Sequence, residues 1–422
     1  MQDTSTLEID LGAIDHNMSV IRGLVGPSCR LCPIVKADAY GLGVSGVARR
    51  LVGAGADMLA VYSLRQAIET AAAVNASTPV LVLMPVSSLP REDEIVRLML
   101  AGRLHLVVHD EANLEALDAC VRALGVELPV HVEVDVGMSR GGARPEEASR
   151  LVRALAAHPN LRLAGIFAHF SNSRADSALT ARQLEAFDMV VAANRRFIPD
   201  EALEHVASTY ALARARRYHR SMVRFGLAWL GYGLEELCGF DGESAIDRAP
   251  LLAAGDLHPV VRWTSRIVQS KSIAAGTPVG YGSRWIAERP STVLLVPVGY
   301  ADGYPVARDP NARQYVRLRT PAGDAVDAPV VGAINMDQIT VDATGFHAGD
   351  HHDWIGSEVE LISRNSGAPN SLPALAARSG MIPHELLTRI NPRVPRVSFS
   401  QVSIEVVAHA VESAPRSSVA AG

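Results

Sequence analysis

Short apolar runs recur along the first 230 or so residues, and the segments between them carry apolar positions at helical spacing. Eight such runs predict strands: Leu31–Val35, Met58–Tyr62, Val80–Met84, Leu104–His109, Val130–Asp135, Leu163–His169, His205–Ser208 and Met222–Leu230. Helical signals fall between and before them. Asp10 precedes a face formed by Leu11, Ile14, Met18 and Ile21, as an N-cap would. Ala148, Leu151 and Leu155 repeat behind Pro145, Glu146 and Glu147, the residues that favour a first helical turn. Eight strand–helix units predict an α/β fold, an N-terminal (β/α)8 TIM-type barrel in preference to an open sheet. No GxGxxG follows the first strand, which argues against dinucleotide binding.

Near residue 250 the pattern changes. Val260–Ile273, Val293–Val298, Tyr315–Leu318, Ala328–Val331, Gln338–Asp342 and Val359–Ile362 are β-type runs broken by Gly, Pro and Asp, and helical spacing returns only at Leu372–Ala377. The expected organisation is a barrel over 1–250, a C-terminal mainly-β domain over 251–411 and a disordered tail over 412–422. The first residues can belong to either domain.

Composition narrows the function classes. A net charge of −5 with 48 % hydrophobic residues describes an ordinary globular protein, and no basic run offers a surface for nucleic acid or an anionic membrane. The N-terminus lacks the basic and apolar regions of a signal peptide, and no apolar run suggests a membrane span, so a cytoplasmic location is expected. Cys29, Cys32, Cys120 and Cys238 include one CxxC, with no second pair or His cluster to complete a metal site. A reducing compartment and no metal are expected.

Lysine use is more telling. Only Lys36 and Lys271 are lysine among 40 basic residues. Lys36 ends the first strand, before a turn marked by Gly41 and Gly43. At a barrel mouth, partial desolvation can lower a lysine pKa enough to make the amine nucleophilic, and arginine cannot replace it in a Schiff base. A strand-end lysine snorkelling into solvent is the plainer alternative. Other polar residues fall at strand ends: Asp135 with Arg140, His169, Ser208 with Thr209, and Arg224. Thr209, Gly226 and Leu227 can offer a hydroxyl and close backbone N–H groups to a phosphate. The set suits an anionic cofactor that reacts with amines.

Val35-Lys36-Ala37-Asp38-Ala39-Tyr40-Gly41, Val279-Gly280-Tyr281-Gly282, Val298-Gly299-Tyr300-Ala301-Asp302-Gly303 and Asn335-Met336-Asp337-Gln338 stand in order along the chain. Together they resemble the motifs of the alanine racemase family, over roughly residues 6 to 408. The resemblance implies a homodimer that uses pyridoxal 5'-phosphate to interconvert L- and D-alanine, feeding peptidoglycan synthesis, with each active site shared between chains. It implies that Lys36 carries the cofactor, and that Lys36 and Tyr281 are the two bases, since one base cannot easily reach both faces of a substrate. Tyr40, Ser208, Thr209, Gly226 and Leu227 would hold the phosphate. Arg224 would face the pyridine nitrogen, with His169 supporting it. Arg140 and the backbone of Met336 would take the substrate carboxylate, and Tyr300 would line the entrance.

Three positions depart from the family pattern. Glu133 stands where many members carry a carbamylated lysine, Asn335 replaces a cysteine, and Pro392 occupies a place where some members have a tyrosine near the phosphate and the entrance. The last change would widen substrate choice towards other small amino acids. The alternation along Val130–Val136 points His131, Glu133 and Asp135 into the barrel, so Glu133 is expected to pair with Arg140; a barrel-layer residue paired elsewhere is the alternative. Two other classes remain. A non-catalytic pyridoxal-phosphate carrier would lack Tyr281 and the β domain, and a related two-domain decarboxylase would put an acidic residue at Arg224.

Overall fold

The computed structural model describes residues 4–90, 92–234, 257–309, 312–346, 351–400 and 403–407. It begins in the second of its two β assemblies. Strand β1 (Ser5–Asp10) buries Leu7 and Ile9 and leaves Thr6 and Glu8 partly open, the period-2 pattern of a sheet with one covered face. Asp10 then caps the helix Leu11–Val25, its carboxylate accepting the Ala13 N–H at 3.1 Å, and that helix buries Ile14, Met18 and Ile21.

Eight parallel strands follow: β2 (Arg30–Pro33), β3 (Leu59–Val61), β4 (Val80–Val82), β5 (Leu104–Val108), β6 (Leu128–Val134), β7 (Leu161–Ala168), β8 (Leu203–His205) and β9 (Met222–Phe225). β3 to β8 pair in sequence order, and β2 pairs with β9. The circle closes through a parallel bridge between Ile34 and Ala60 and through Arg224 N–H to the Ala207 carbonyl at 3.0 Å. The interior is filled rather than hollow. Cys32, Ala60, Leu81, Val107, Phe167, Leu203 and Met222 meet there, one from each of seven strands, and β6 contributes His131. This is the expected (β/α)8 barrel.

The expected β-type runs become strands. β10 (Val261–Arg266) and β11 (Gln269–Ile273) divide the long run at 260–273, and β12 (Pro278–Val279) pairs with β13 (Trp285–Ile286). β14 (Ser291–Val296), β15 (Tyr315–Arg319), β16 (Ala325–Val331), β17 (Ile339–Asp342), β18 (Glu358–Ile362), β19 (Arg396–Ser400) and β20 (Ser403–Val407) complete the set. Ten strands form one sheet, in which β1 lies antiparallel to β10 and parallel to β19. Arg262 binds Glu8, Glu358 and Glu360 and so ties β1, β10 and β18 together. The boundary expected at residue 250 and the tail expected at 412–422 lie outside the described residues.

Two joints fix the sheet domain to the barrel. The amide of buried Asn17 donates to the carbonyls of Trp229 and His258 and accepts the His258 N–H. Arg396 donates to the Gly41 carbonyl at 3.0 Å and to the carbonyls of Ile390, Asn391 and Val394. The second joint clamps the turn that follows Lys36.

Candidate functional site

A cavity of about 460 Å³ opens at the carboxyl ends of the barrel strands, a usual size and place for a cofactor site. Lys36 enters it from the end of β2. The four residues after it, Ala37 to Tyr40, have φ between 53° and 59° with positive ψ, a turn of left-handed helix made without glycine. Each such residue costs roughly 1–2 kcal/mol against its right-handed form. The Asp38 carboxylate accepts the Val44 N–H at 2.6 Å, and Arg396 grips Gly41, so the turn is held from both sides. It places Lys36 and Tyr40 on the same cavity. Burial lowers the Lys36 pKa, and the Arg140 guanidinium lowers it further.

Tyr40 is buried, stacks near Trp229 and presents its ring edge-on to His384 at 4.8 Å. Burial raises its phenol pKa, so the hydroxyl stays a hydrogen-bond donor. A Cβ on Gly226 would stand 2.2 Å from that hydroxyl, so only glycine leaves the space between them. Thr209 and Ser208 face the same corner, with Thr209 Oγ1 accepting the Ala228 N–H at 3.2 Å. Leu227 completes it.

Arg224 rises from β9 on the opposite wall. Its guanidinium donates to Nδ1 and the carbonyl of His205, at 2.6 and 2.7 Å, and to the Ala168 carbonyl at 2.9 Å, and it lies over the Phe167 ring. Burial lowers its pKa to about 10, which still leaves it charged at neutral pH. The bond to Nδ1 puts the His205 proton on Nε2, which meets His131 Nδ1 at 2.9 Å; His131 Nε2 in turn meets His105 Nδ1 at 2.9 Å. Three imidazoles thus run through the barrel interior to the guanidinium. Burial pushes the pKa of His131 and His205 far below the usual histidine value and that of His105 to about 4, so the chain is neutral.

One cavity therefore gathers nine of the expected residues: Lys36, Tyr40, Arg140, His169, Ser208, Thr209, Arg224, Gly226 and Leu227. Two assignments change, and one lining residue was not expected. The support of Arg224 comes from His205, not His169. β8 is the neighbour of β9 and His205 lies just beneath the guanidinium, whereas His169 follows β7 at the mouth. Glu133 pairs with His109 at 3.1 Å, not with Arg140. Val108 and Val132 are opposite in the β5–β6 ladder, so the next two residues meet side by side, while Arg140 projects from a loop. In the segment that holds Pro392, the residue lining the cavity is His384, from the helix Pro383–Arg389. Burial and the Lys36 charge lower its pKa to about 4.

Sequence reasoning missed His109, His205 and His384. Alternation with Val107 and Leu203 would have turned the first two inward; nothing local marked the third.

Tyr281, Tyr300 and Met336 do not reach this cavity. They stand on the sheet domain, exposed at 79 %, 49 % and 54 %. They are close to one another in the backbone: the Tyr300 N–H donates to the Asn335 carbonyl, the Ala301 N–H to that of Met336, and Gly280 packs near Ala333. Val279, two residues before Tyr281, pairs with Trp285.

Residues 9–233 match the family model for the alanine racemase N-terminal domain, and residues 260–398 match that for the C-terminal domain. The chain is 34 % identical over 393 residues to an alanine racemase of Desulfovibrio desulfuricans, covering 92 % of this chain and 96 % of the relative. It is 32 % identical over 390 residues to one of Halothermothrix orenii, covering 92 % and 95 %. Among solved structures, alanine racemase of Streptomyces coelicolor A3(2) superposes with a TM-score of 0.79 at 28 % identity, covering 94 % of this chain and 98 % of that one. That of Bartonella henselae, with covalently bound pyridoxal phosphate, gives 0.76 at 26 % identity over 94 % and 100 %.

Proposed function

The chain belongs to the alanine racemase family, and from that premise we propose that it interconverts L- and D-alanine with Lys36 and Tyr281 as its two proton-carrying residues. It is an isomerase that works with pyridoxal 5'-phosphate. The observation that carries the proposal is the one cavity shared by a lysine of lowered pKa, a buried arginine and a second arginine that has no partner among the described residues.

The residues fit the cofactor. Glycine at 226 lets the Tyr40 hydroxyl come close to the backbone, and that hydroxyl with those of Thr209 and Ser208 lines a corner that suits a phosphate. When bound, pyridoxal phosphate draws electrons from an amino acid and so acidifies its α-proton. Arg224 would face the ring nitrogen and, keeping its own proton, would limit electron withdrawal and favour racemisation over decarboxylation or transamination. Arg140, which makes no hydrogen bond or ion pair among the described residues, is free to bind the substrate carboxylate. Lys36 serves one face of the substrate. Tyr281 serves the other from a second copy of the chain, because it stands outside its own cavity. Among the described residues no helix is long and apolar enough to cross a membrane, and we place the enzyme in the cytoplasm.

Chiral chromatography of purified holoenzyme with each enantiomer of alanine should show both approaching an equal mixture. In deuterated water, Tyr281→Phe should lose racemisation in both directions and still exchange the α-proton of the enantiomer that Lys36 serves. Equal exchange from both enantiomers at the wild-type rate would refute the two-base assignment.

A further inference from the structure

Arg140 lies in a loop that leaves β6 and returns to it. Asp135 starts the loop, its Oδ1 accepting the N–H groups of Gly137, Met138 and Ser139 at 3.0 Å each. Ala143 closes it, donating to the Glu133 carbonyl and accepting the Asp135 N–H, both at 2.8 Å. Between these ties the loop backbone beside Arg140 is held from a different strand. The Gly142 N–H donates to Nδ1 of His109 at 3.1 Å. His109 is buried just beyond β5, and its own N–H is fixed by the Asn113 side chain, which in turn donates to the Val86 carbonyl. Gly142 needs its φ of +89°, and a Cβ there would stand 2.9 Å from Glu133 Cγ, so the loop lies flush against this pair.

The same Nδ1 lies 3.1 Å from Glu133 Oε2. A ring nitrogen carries either a proton or a lone pair, so Nδ1 can accept from Gly142 or donate to Glu133, not both. Accepting from Gly142 puts the proton of a neutral ring on Nε2, a buried atom with no hydrogen-bond partner among the described residues. Donating to Glu133 releases the Gly142 N–H.

We propose that His109 is a positioning residue of the substrate site, holding the loop that presents Arg140, with Glu133 competing for the ring nitrogen through which it acts. This rests on the reading that Arg140 binds the substrate carboxylate. His109 then sets carboxylate affinity and leaves the amine end of the site alone.

The test is calorimetric binding of two halves of alanine to holoenzyme: propionate, which keeps the carboxylate, and ethylamine, which keeps the amine. His109→Ala should weaken propionate about tenfold, equivalent to about 1.4 kcal/mol, and leave ethylamine within about twofold. His109→Asn, whose side-chain oxygen can still accept from Gly142, should recover most of the propionate affinity. Arg140→Ala should weaken propionate at least as much as His109→Ala. If His109→Ala leaves propionate unchanged while Arg140→Ala weakens it, the role given to His109 is wrong. If His109→Ala weakens both probes alike, its role is only structural and the proposal fails. If Arg140→Ala has no effect on propionate, the reading of Arg140 falls, and the proposal with it.

Discussion

At the scale of single residues, Gly226 and the Tyr40 hydroxyl stand closer than a side chain at 226 would allow. A Cβ at 226 would stand 2.2 Å from the oxygen and 3.1 Å from ring atom Cζ, and the first distance is far inside contact. The buried tyrosine is boxed between Trp229 and His384 and cannot step back. Gly226→Ala should therefore weaken cofactor binding at least tenfold, read by dialysis against graded pyridoxal phosphate and the remaining absorbance. Tyr40→Phe removes the nearest atom but leaves the ring carbon. In the Gly226→Ala background it should win back part of the loss, although alone it would remove the hydroxyl proposed to hold the phosphate. Losses that simply add in the double variant would mean that the two positions do not share a space. A position-by-position reading of the sequence found both residues, because they sit in motifs. It could not find their mutual distance, which depends on a tyrosine carried round a left-handed turn by alanines and an aspartate. Glycine is the usual marker of such a backbone, and here it appears only after the turn, at Gly41.

At the scale of elements, buried histidines on the barrel strands, just after β7 and on the helix Pro383–Arg389 make stability depend on pH. Unfolded histidine titrates near 6.5, whereas burial holds His105 and His384 near 4 and His169 near 3. Above about pH 6.5 the rings are neutral in both states. Below it the unfolded chain takes up protons that the folded barrel refuses, so stability falls as pH falls, at roughly 1.4 kcal/mol per unit for each ring across the gap. The window opens at about 6.5 and closes near 4 for His105 and His384 and near 3 for His169. Melting temperature should therefore drop steadily from pH 7 to pH 5, and calorimetry in buffers of different ionisation heat should show proton uptake on unfolding at pH 5.5. A flat melting temperature across that range would show that these rings are hydrated and free to charge. The same strands show what was legible. Period-2 alternation correctly turned His131 and Glu133 inward. It said nothing of which residue on the next strand lies beside them, because parallel register is set by the closure of the barrel and not by local pattern. His205 under Arg224 and His109 beside Glu133 are both lateral neighbours of that kind, and both were missed, so Arg224 and Glu133 were given other partners. β1 escaped notice as a strand for a related reason: its partners, β10 and β19, are more than 250 residues away in sequence.

At the scale of the whole molecule, one chain gathers nine of the expected site residues at its barrel mouth and displays three others on its sheet domain. The Arg396 and Asn17 joints fix the sheet domain so that it contributes His384 to its own cavity, while Tyr281, Tyr300 and Met336 stay exposed as a group. Large exposed side chains gathered in one patch mark a binding surface. A twofold dimer would satisfy both halves at once, because in a self-complementary interface each patch meets the partner's barrel mouth. The consequence is a complementation that a monomer cannot show. On the proposed assignment, Lys36→Ala chains lack the residue that would carry the cofactor and Tyr281→Phe chains lack the base for the opposite face, so each homodimer should be inactive in racemisation. Mixed by refolding or co-expression in equal amounts, they should form about half hybrids by random pairing of a twofold dimer. Each hybrid holds one site with both defects and one site with neither. Activity should then return to about a quarter of that of the same amount of wild-type protein, one intact site in two on half of the dimers. Chains mixed without exchange of subunits supply the control and should stay inactive. Failure of the exchanged mixture to regain activity, with hybrids confirmed by mass, would place Tyr281 in the cavity of its own chain and require the sheet domain to swing across the barrel.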